Sequence, residues 1–289
     1  MQTMVSERVE SLVAELLLDY RLNPVDMLGL GDGDGEARYI DGLAESYKRT
    51  VADISGLFAT RDRKPRILEI GAYLGVVSRA LAKLECDVVA TEHPSFARSA
   101  RLADFFTRHG IPLHGVDLAD ASLPFPSESF DAVIICEVIE HLNFNPLPML
   151  LEVSRLVRPG GYAYVAMPNF SSFSNRLRVL RGRSPHNPIS DYLVQLDRRR
   201  NMEVGLHWRE YTSRETCEML EVVGFCPIDV RHEVPANYFS GNPFKAVIKR
   251  CLYAIKSLRP MQVVIAKKRD LPSYPFWRSP TAKPSALTA

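Results

Sequence analysis

The chain has 289 residues, enough for one large domain with additions, and its apolar and charged fractions (46% and 24%) are those of an ordinary globular protein. The 36 Lys and Arg against 34 Asp and Glu leave a formal charge of +2, which gives no electrostatic argument for a nucleic-acid partner. Five widely spaced cysteines without a C-x-x-C pair suggest neither a disulfide framework nor a structural zinc site, and fit a reducing cytoplasm. No apolar run reaches the ~18 residues of a spanning helix, and the early charges Glu7, Arg8 and Glu10 do not suit a signal peptide.

Residues 7–22 carry Val9, Leu12, Val13, Leu16, Leu17 and Tyr20 at helical spacing, which predicts an amphipathic helix. The alternating acids between Gly31 and Gly35 imitate a calcium loop. Its required Gly falls on Ala37 and its terminal Glu on Leu43, so a solvated turn is expected instead. Residues 38–58 form a second predicted helix, with Ile40, Leu43, Tyr47, Val51 and Ile54 on one face.

Residues 66–94 are the stretch that the chain is organised around. A strand from Arg66 ends in Glu69-Ile70-Gly71, a turn runs over Ala72 to Gly75, and a helix continues to about Leu84. A second strand, Cys86 to Thr91, ends at Glu92. This βαβ unit, with a glycine turn after one strand and an acid after the next, suits an adenosine-type ligand. The turn lets the backbone come close, and the acid can accept hydrogen bonds from a ribose diol. A dinucleotide fingerprint would need glycine where Tyr73 and Val76 stand, and no Gly-Lys pair exists for a P-loop. What remains is Glu69-x-Gly71-x-x-x-Gly75.

Residues 95–109 read as a helix closed by Gly110, and 111–116 as a third strand with Asp117-Leu118 at its end; Asp120 competes with Asp117 in the same loop. Leu123-Pro-Phe-Pro-Ser-Glu-Ser-Phe-Asp131 leads into an apolar fourth strand, 132–136, followed directly by Glu137-Val-Ile-Glu140-His141-Leu142. A helix over 143–157, the turn Arg158-Pro-Gly-Gly161 and a fifth strand, 162–167, come next.

These residues together resemble class I S-adenosylmethionine (SAM)-dependent methyltransferases. The turn is similar to their first motif, with Tyr73 departing from its middle glycine; the L-P-F-x-x-x-S-F-D, E-V-I-E-H-L and R-P-G-G blocks are similar to theirs over residues 66–169. The resemblance implies an α/β fold: a Rossmann-like seven-stranded sheet, last strand antiparallel, with helices on both faces, N-terminal helices and an acceptor-side insertion. It implies SAM as cofactor. Glu69 would orient the turn and the amino-acid end; Gly71, Ala72 and Gly75 would give backbone access. Glu92 would hold the ribose, Asp117 and Leu118 the adenine, and Cys136 and Glu137 the floor beneath the methyl group. The N-terminal helices would cover the pocket or merely pack on the sheet.

Residues 169–205 break the alternating pattern with Arg176, Arg178, Arg181, Arg183 and Arg198 to Arg200 against Asp191 and Asp197. A basic acceptor-side lid favours an anionic acceptor; a solvated charged face is the plain alternative. Few aromatics interleave the arginines, which disfavours RNA. His207-x-Arg209-x-Tyr211-Thr212 precedes a helix with a capping box, Thr212 with Glu215, and resembles another segment of the same family. His141, His207 and Tyr211 are the catalytic candidates: His141 is a general base or a histidine satisfying nearby backbone, and His207 and Tyr211 touch the acceptor or pack on Trp208. Glu140 and His141 lack further ligands at metal spacing in the sequence, so no metal is expected.

Residues 225–234 and 261–267 are the last two strands. Between them, Phe244, Val247, Ile248, Cys251, Leu252, Ile255 and Leu258 form an apolar stripe, with Lys245, Lys249, Arg250 and Lys256 off it. Such a helix packs its stripe into the protein or lies on an anionic membrane surface. The expected organisation is a helical cap (1–60), a methyltransferase domain (61–269, with a lid at 170–206 and the basic helix at 242–258) and a polar tail (270–289). The expected function is O-methylation of a saccharide or lipid-linked intermediate in the cytoplasm, at the inner face of the membrane if the stripe binds lipid. A small metabolite such as a quinone precursor is the alternative acceptor, and a non-catalytic SAM-binding subunit the alternative class.

Overall fold

The computed structural model describes residues 2–25, 39–196, 206–239 and 243–269. The acidic loop at 31–35, Arg198 to Arg200, the tail from residue 270 and the side chains of Phe244 and Lys245 lie outside the described residues. Seven strands make one sheet: β1 (Arg66–Ile70), β2 (Asp87–Glu92), β3 (Leu113–Gly115), β4 (Phe130–Cys136), β5 (Val157–Pro168), β6 (Phe225–Glu233) and β7 (Met261–Lys268). Their order is β3-β2-β1-β4-β5-β7-β6. Strands β1 to β5 pair in parallel, and β7 runs antiparallel to both β5 and β6, as the sequence predicts.

The alternation of β1 explains the two layers. Ile67 joins one apolar cluster, with residues of α1 (Gln2–Leu22), α2 (Ala44–Leu57), α3 (Val76–Lys83) and, after the single-turn α4 (Pro94–Ala97), α5 (Ala100–Arg108). Leu68 and Ile70 face the other cluster, under α6 (Leu147–Leu156) and, beyond the insertion helices α7 (Phe173–Leu180) and α8 (Ile189–Leu196), α9 (Ser213–Val222). Strands buried on both faces are the parallel-sheet pattern. The order reverses between β1 and β4, so the carboxyl ends of these strands open a crevice there.

The N-terminal helix is tied to the centre. Arg79 of α3, itself buried, reaches Asp19 of α1 at 2.7 Å and lies over the rings of Tyr20 and Phe105. The Tyr20 hydroxyl donates to the carbonyl of Leu74, inside the turn after β1. At the opposite edge of the sheet, buried Asp131 at the start of β4 accepts from Arg61, Arg63, Arg158 and the Arg66 N–H.

Three sequence expectations change. The helix over 95–109 divides into α4 and α5, because Ser99 is extended (φ −64°, ψ 117°) and starts a new helix. Arg158 to Gly161 is a bulge within β5 and not a free turn: Phe130 pairs with Val157, Ala132 with Tyr162, and Gly160 takes a φ of +74°. The late stripe lies on α10 (Pro243–Tyr253), but Val247, Ile248 and Ile255 are 55%, 45% and 58% exposed. Packing inside the protein is therefore overturned for these residues. Among the described side chains of this helix, Tyr253 is the buried one.

Candidate active site

The turn after β1 is held from below. The N–H groups of Gly71 and Ala72 donate to the Thr91 carbonyl at 3.0 and 3.1 Å. Gly71 has a φ of +71°, and a Cβ there would meet Val138 at 2.5 Å, so no other residue fits. Tyr73, standing where the family motif has its middle glycine, adopts the same left-handed backbone with a φ of +49°. Its N–H donates to Glu92 Oε2 at 2.8 Å, and the His93 N–H donates to Glu92 Oε1 at 2.9 Å. Both Glu92 oxygens keep a further lone pair. Burial raises the Glu92 pKa, and the two backbone donors work against that rise.

A cavity of about 380 Å³ opens at the carboxyl ends of β1, β2 and β4. That volume suits a small-molecule site. Of the nine residues expected at a cofactor, Glu69, Gly71, Ala72, Glu92, Asp117, Leu118, Cys136 and Glu137 line it. Gly75 does not: it starts α3 and lies so close to Phe106 that a Cβ would meet the ring at 2.7 Å, so its requirement is packing and turn geometry. Gly71 and Ala72 offer closeness and not donors, since Thr91 already takes their N–H groups. Asp117, and not Asp120, lines the wall, with one oxygen accepting from the Ala119 N–H at 2.9 Å. Glu69 is buried, bonded to Ser78, and burial pushes its pKa up to about 7.

Residues that the sequence reading did not select complete the wall: Tyr39, Tyr47 and Thr50 from the N-terminal helices, and Phe96 from α4. Their helical spacing marked packing only; nothing in the pattern said which face meets a cavity. The rings of Tyr39 and Tyr73 pack edge to face at 5.4 Å.

The far end of the cavity is acidic and carries a histidine pair. Glu137, with a φ of +54°, and His141 line it. Glu140 is wholly buried; no N–H or O–H donor among the described residues reaches its carboxylate oxygens, and it faces the Glu137 carboxyl, with which it can share a proton. The carbonyl of Glu140 accepts from the Trp208 N–H at 2.8 Å, which seats His207 against His141, ring centroids 4.8 Å apart. His141 Nδ1 bonds the Leu206 carbonyl at 3.0 Å, and His207 Nδ1 bonds Glu210 Oε1 at 3.1 Å. Burial raises the pKa of Glu137 to about 7 and that of Glu140 further, with the Glu137 charge adding to the latter. Burial and the charge of His207 lower His141 to about 4.

The structure bears on two expectations here. The argument against a metal rested on sequence spacing, yet the fold brings donor atoms of Glu140, His141 and His207 within 4.8 Å of one another. Tyr211 does not line the cavity: it is buried in the second core layer, and its carbonyl accepts from Phe170 N–H and Gln262. His207 is not on the wall either, and reaches the site only through its contact with His141.

A seven-stranded sheet of this order with a cavity at the β1/β4 reversal defines a class I SAM-dependent methyltransferase fold. Residues 68–165 match the family model Methyltransf_11, described as a methyltransferase domain. A Mycolicibacterium smegmatis protein named a probable S-adenosylmethionine-dependent methyltransferase is 32% identical over 191 residues, 65% of this chain and 63% of the relative. A ubiquinone biosynthesis O-methyltransferase of Xanthomonas campestris pv. campestris is 30% identical over 116 residues, 40% of this chain and 48% of the relative. The matches thus span less than two thirds of these relatives' lengths. Among solved structures, a Burkholderia thailandensis 1,6-didemethyltoxoflavin-N1-methyltransferase with bound S-adenosylhomocysteine shares the fold. Its TM-score is 0.54 at 16% identity, covering 89% of this chain and 88% of that one.

Proposed function

We propose that the chain binds SAM in this cavity and transfers a methyl group to an oxygen of a saccharide or lipid-linked acceptor. The carrying observation is Glu92: a half-buried carboxylate at the end of β2, oriented by two backbone donors and open to the cavity, suited to a ribose diol. Bound SAM supplies a methyl group on a sulfonium whose thioether leaves without acid assistance. The chain's own part is position and exclusion of water. Glu69 and the turn hold the amino-acid end, Asp117 and Leu118 the adenine, and Cys136 and Glu137 the floor under the methyl group. A hydroxyl acceptor keeps its proton at neutral pH; His141 on the cavity wall, with His207 packed behind it, is where the chain can weaken that bond.

The surface beside the floor supports an amphiphilic, anionic acceptor. Arg176, Arg178, Arg181 and Arg183 are exposed on and after α7, next to exposed Val179, Leu180 and Ile189. Asn187 in this insertion accepts from the His207 N–H at 3.0 Å, linking the insertion to the acceptor end. Exposed α10 adds a basic and apolar face for peripheral contact with an anionic membrane. No helix among the described residues is long and apolar enough to cross one. A quinone-type metabolite is the second reading, favoured by the matched ubiquinone biosynthesis enzyme. Tyr73 was the one feature favouring a non-catalytic subunit, and its backbone serves the turn as a glycine would.

The test is calorimetric binding of S-adenosylhomocysteine, with NAD as control, to the wild type and Glu92→Ala. Binding of S-adenosylhomocysteine and not of NAD, lost in the variant, is expected. A wild type that binds NAD, or neither ligand, would sink the reading.

A further inference from the structure

Glu140 poses a physical problem that the methyl-transfer reading leaves unanswered. It is 0% exposed, and no N–H or O–H donor among the described residues reaches either oxygen; the neighbouring Glu137 carboxyl can bond it only by keeping one of the two acids neutral. A buried polar group without a partner is costly, and native proteins rarely tolerate one unless something binds it. Two imidazoles face it. His141 Nε2 stands 4.0 Å from Glu140 Oε1, close to but beyond a hydrogen bond.

Both rings are turned for ligation. A carbonyl oxygen cannot donate, so the His141 Nδ1 proton goes to Leu206, which leaves Nε2 as a lone pair. The Glu210 carboxylate likewise takes the His207 Nδ1 proton, and Asn175 donates to the other Glu210 oxygen at 2.7 Å. A ligating histidine characteristically gives its second nitrogen's proton to a carboxylate or carbonyl, which sets the tautomer and the ring angle. Both histidines here do so.

We propose that Glu140, His141 and His207 hold a divalent first-row transition cation at the acceptor end of the cavity. The donor atoms lie within 4.8 Å of one another. At ~2.0–2.2 Å per ligand, two donors on one cation stand roughly 3.3–4.2 Å apart, so the group closes on an ion by less than about one ångström of side-chain movement. Two imidazoles with one carboxylate favour manganese-to-zinc ions over calcium or magnesium, which prefer all-oxygen sets. Three protein ligands leave coordination positions open, and His141 sets them at the cavity wall. A hydroxyl-bearing acceptor, above all a vicinal diol, is the ligand class that fits those positions. The cation site itself is independent of the methyl-transfer reading; only this use of it rests on that reading.

The test uses the full chain, stripped with chelator and titrated with Co(II) while visible absorption is followed. S-adenosylhomocysteine binding is measured on the same samples. The wild type is expected to take one Co(II) per chain with d–d bands of low-symmetry coordination. His207→Ala and Glu140→Gln are expected to weaken uptake more than about 100-fold, and Glu210→Gln, one shell out, about 10–100-fold. Glu92→Ala should keep Co(II) uptake while losing the nucleoside, so the two sites fail separately. If Glu140→Gln does not fold, His207→Ala decides. A wild type that takes no Co(II), or a His207→Ala protein that binds S-adenosylhomocysteine and takes Co(II) as tightly as wild type, overturns the proposal.

Discussion

The Tyr73 amide donates to the Glu92 carboxylate over 2.8 Å, joining the turn after β1 to the end of β2. One carboxylate therefore does two things: it fixes the turn and presents acceptor lone pairs to the cavity. Glu92→Gln keeps the shape but turns one acceptor oxygen into a donor, against the N–H of either Tyr73 or His93. We expect S-adenosylhomocysteine affinity to fall by about 1–3 kcal/mol, the scale of losing a charged hydrogen bond. Calorimetry reads this directly, and unchanged affinity would move the ribose site elsewhere.

The same turn is braced from α1. Tyr20→Phe keeps the ring against Arg79 and Phe105 but removes the hydroxyl that serves the Leu74 carbonyl. The expected loss is about 1–3 kcal/mol of unfolding free energy at an unchanged urea m-value. A variant as stable as wild type would mean that ring packing alone docks the helix.

How far the sequence carried differs by region. The first to fifth strands were legible because an apolar run between turn residues has few other meanings; Glu92 stood at a strand end that suits a ribose-binding acid, and the family resemblance pointed to Asp117 over its neighbour Asp120. The histidine pair was not legible. His141 and His207 are far apart in sequence, and bonds between their segments, the Trp208 N–H to the Glu140 carbonyl and His141 Nδ1 to the Leu206 carbonyl, bring them together. The exposed stripe on α10 was ambiguous for a different reason: helical periodicity says that a face exists and not what covers it.

Glu69 gives a pH dependence. Burial lifts its pKa to about 7, above its ordinary value. Because the folded value is raised, the folded protein holds a proton there that the unfolded chain has already lost. Stability contributed by this group is thus greatest at low pH and falls as pH rises toward 7. A ligand ammonium pairing with Glu69 requires the ionised form, so S-adenosylhomocysteine affinity should climb up to tenfold per unit below pH 7 and level above it. Glu69→Gln should flatten this profile and raise the stability of the free protein at pH 8. A profile that keeps its shape in the variant would assign the titration to another group, Glu137 first.

Asp131 titrates the opposite way. Burial alone would raise its pKa, but Arg63, the Arg66 N–H and Arg158 outweigh that and hold it well below the usual carboxylate range. A lowered folded pKa contributes stability above the ordinary carboxylate value, lost as pH falls through the folded one. The wild type should therefore lose stability steadily below about pH 4. Asp131→Asn should lose stability at neutral pH, toward the lower end of the ~3–5 kcal/mol for breaking a buried pair. The side chains of Arg61, Arg63 and Arg158 are 33%, 52% and 36% exposed and can turn to water, which limits the cost. Denaturant midpoints from pH 7 to 2 should converge for the two proteins, and parallel curves would place the acid sensitivity elsewhere.

On α10, exposed Val247 and Ile248 lie beside Lys249 and Arg250, which are drawn over the rings of Tyr238 and Phe239. Apolar side chains already in water contribute little to folding, so Val247→Asp with Ile248→Asp should change stability by no more than about 0.5 kcal/mol. On an anionic bilayer the same side chains would leave water while the cations meet the headgroups, and two added acids reverse both terms. We expect the wild type to sediment with vesicles containing phosphatidylglycerol and not with pure phosphatidylcholine, and the double variant to stay in the supernatant with either. A destabilised variant would mean that the stripe packs on the protein after all. A stable variant that sediments like the wild type would take the membrane contact away from this helix.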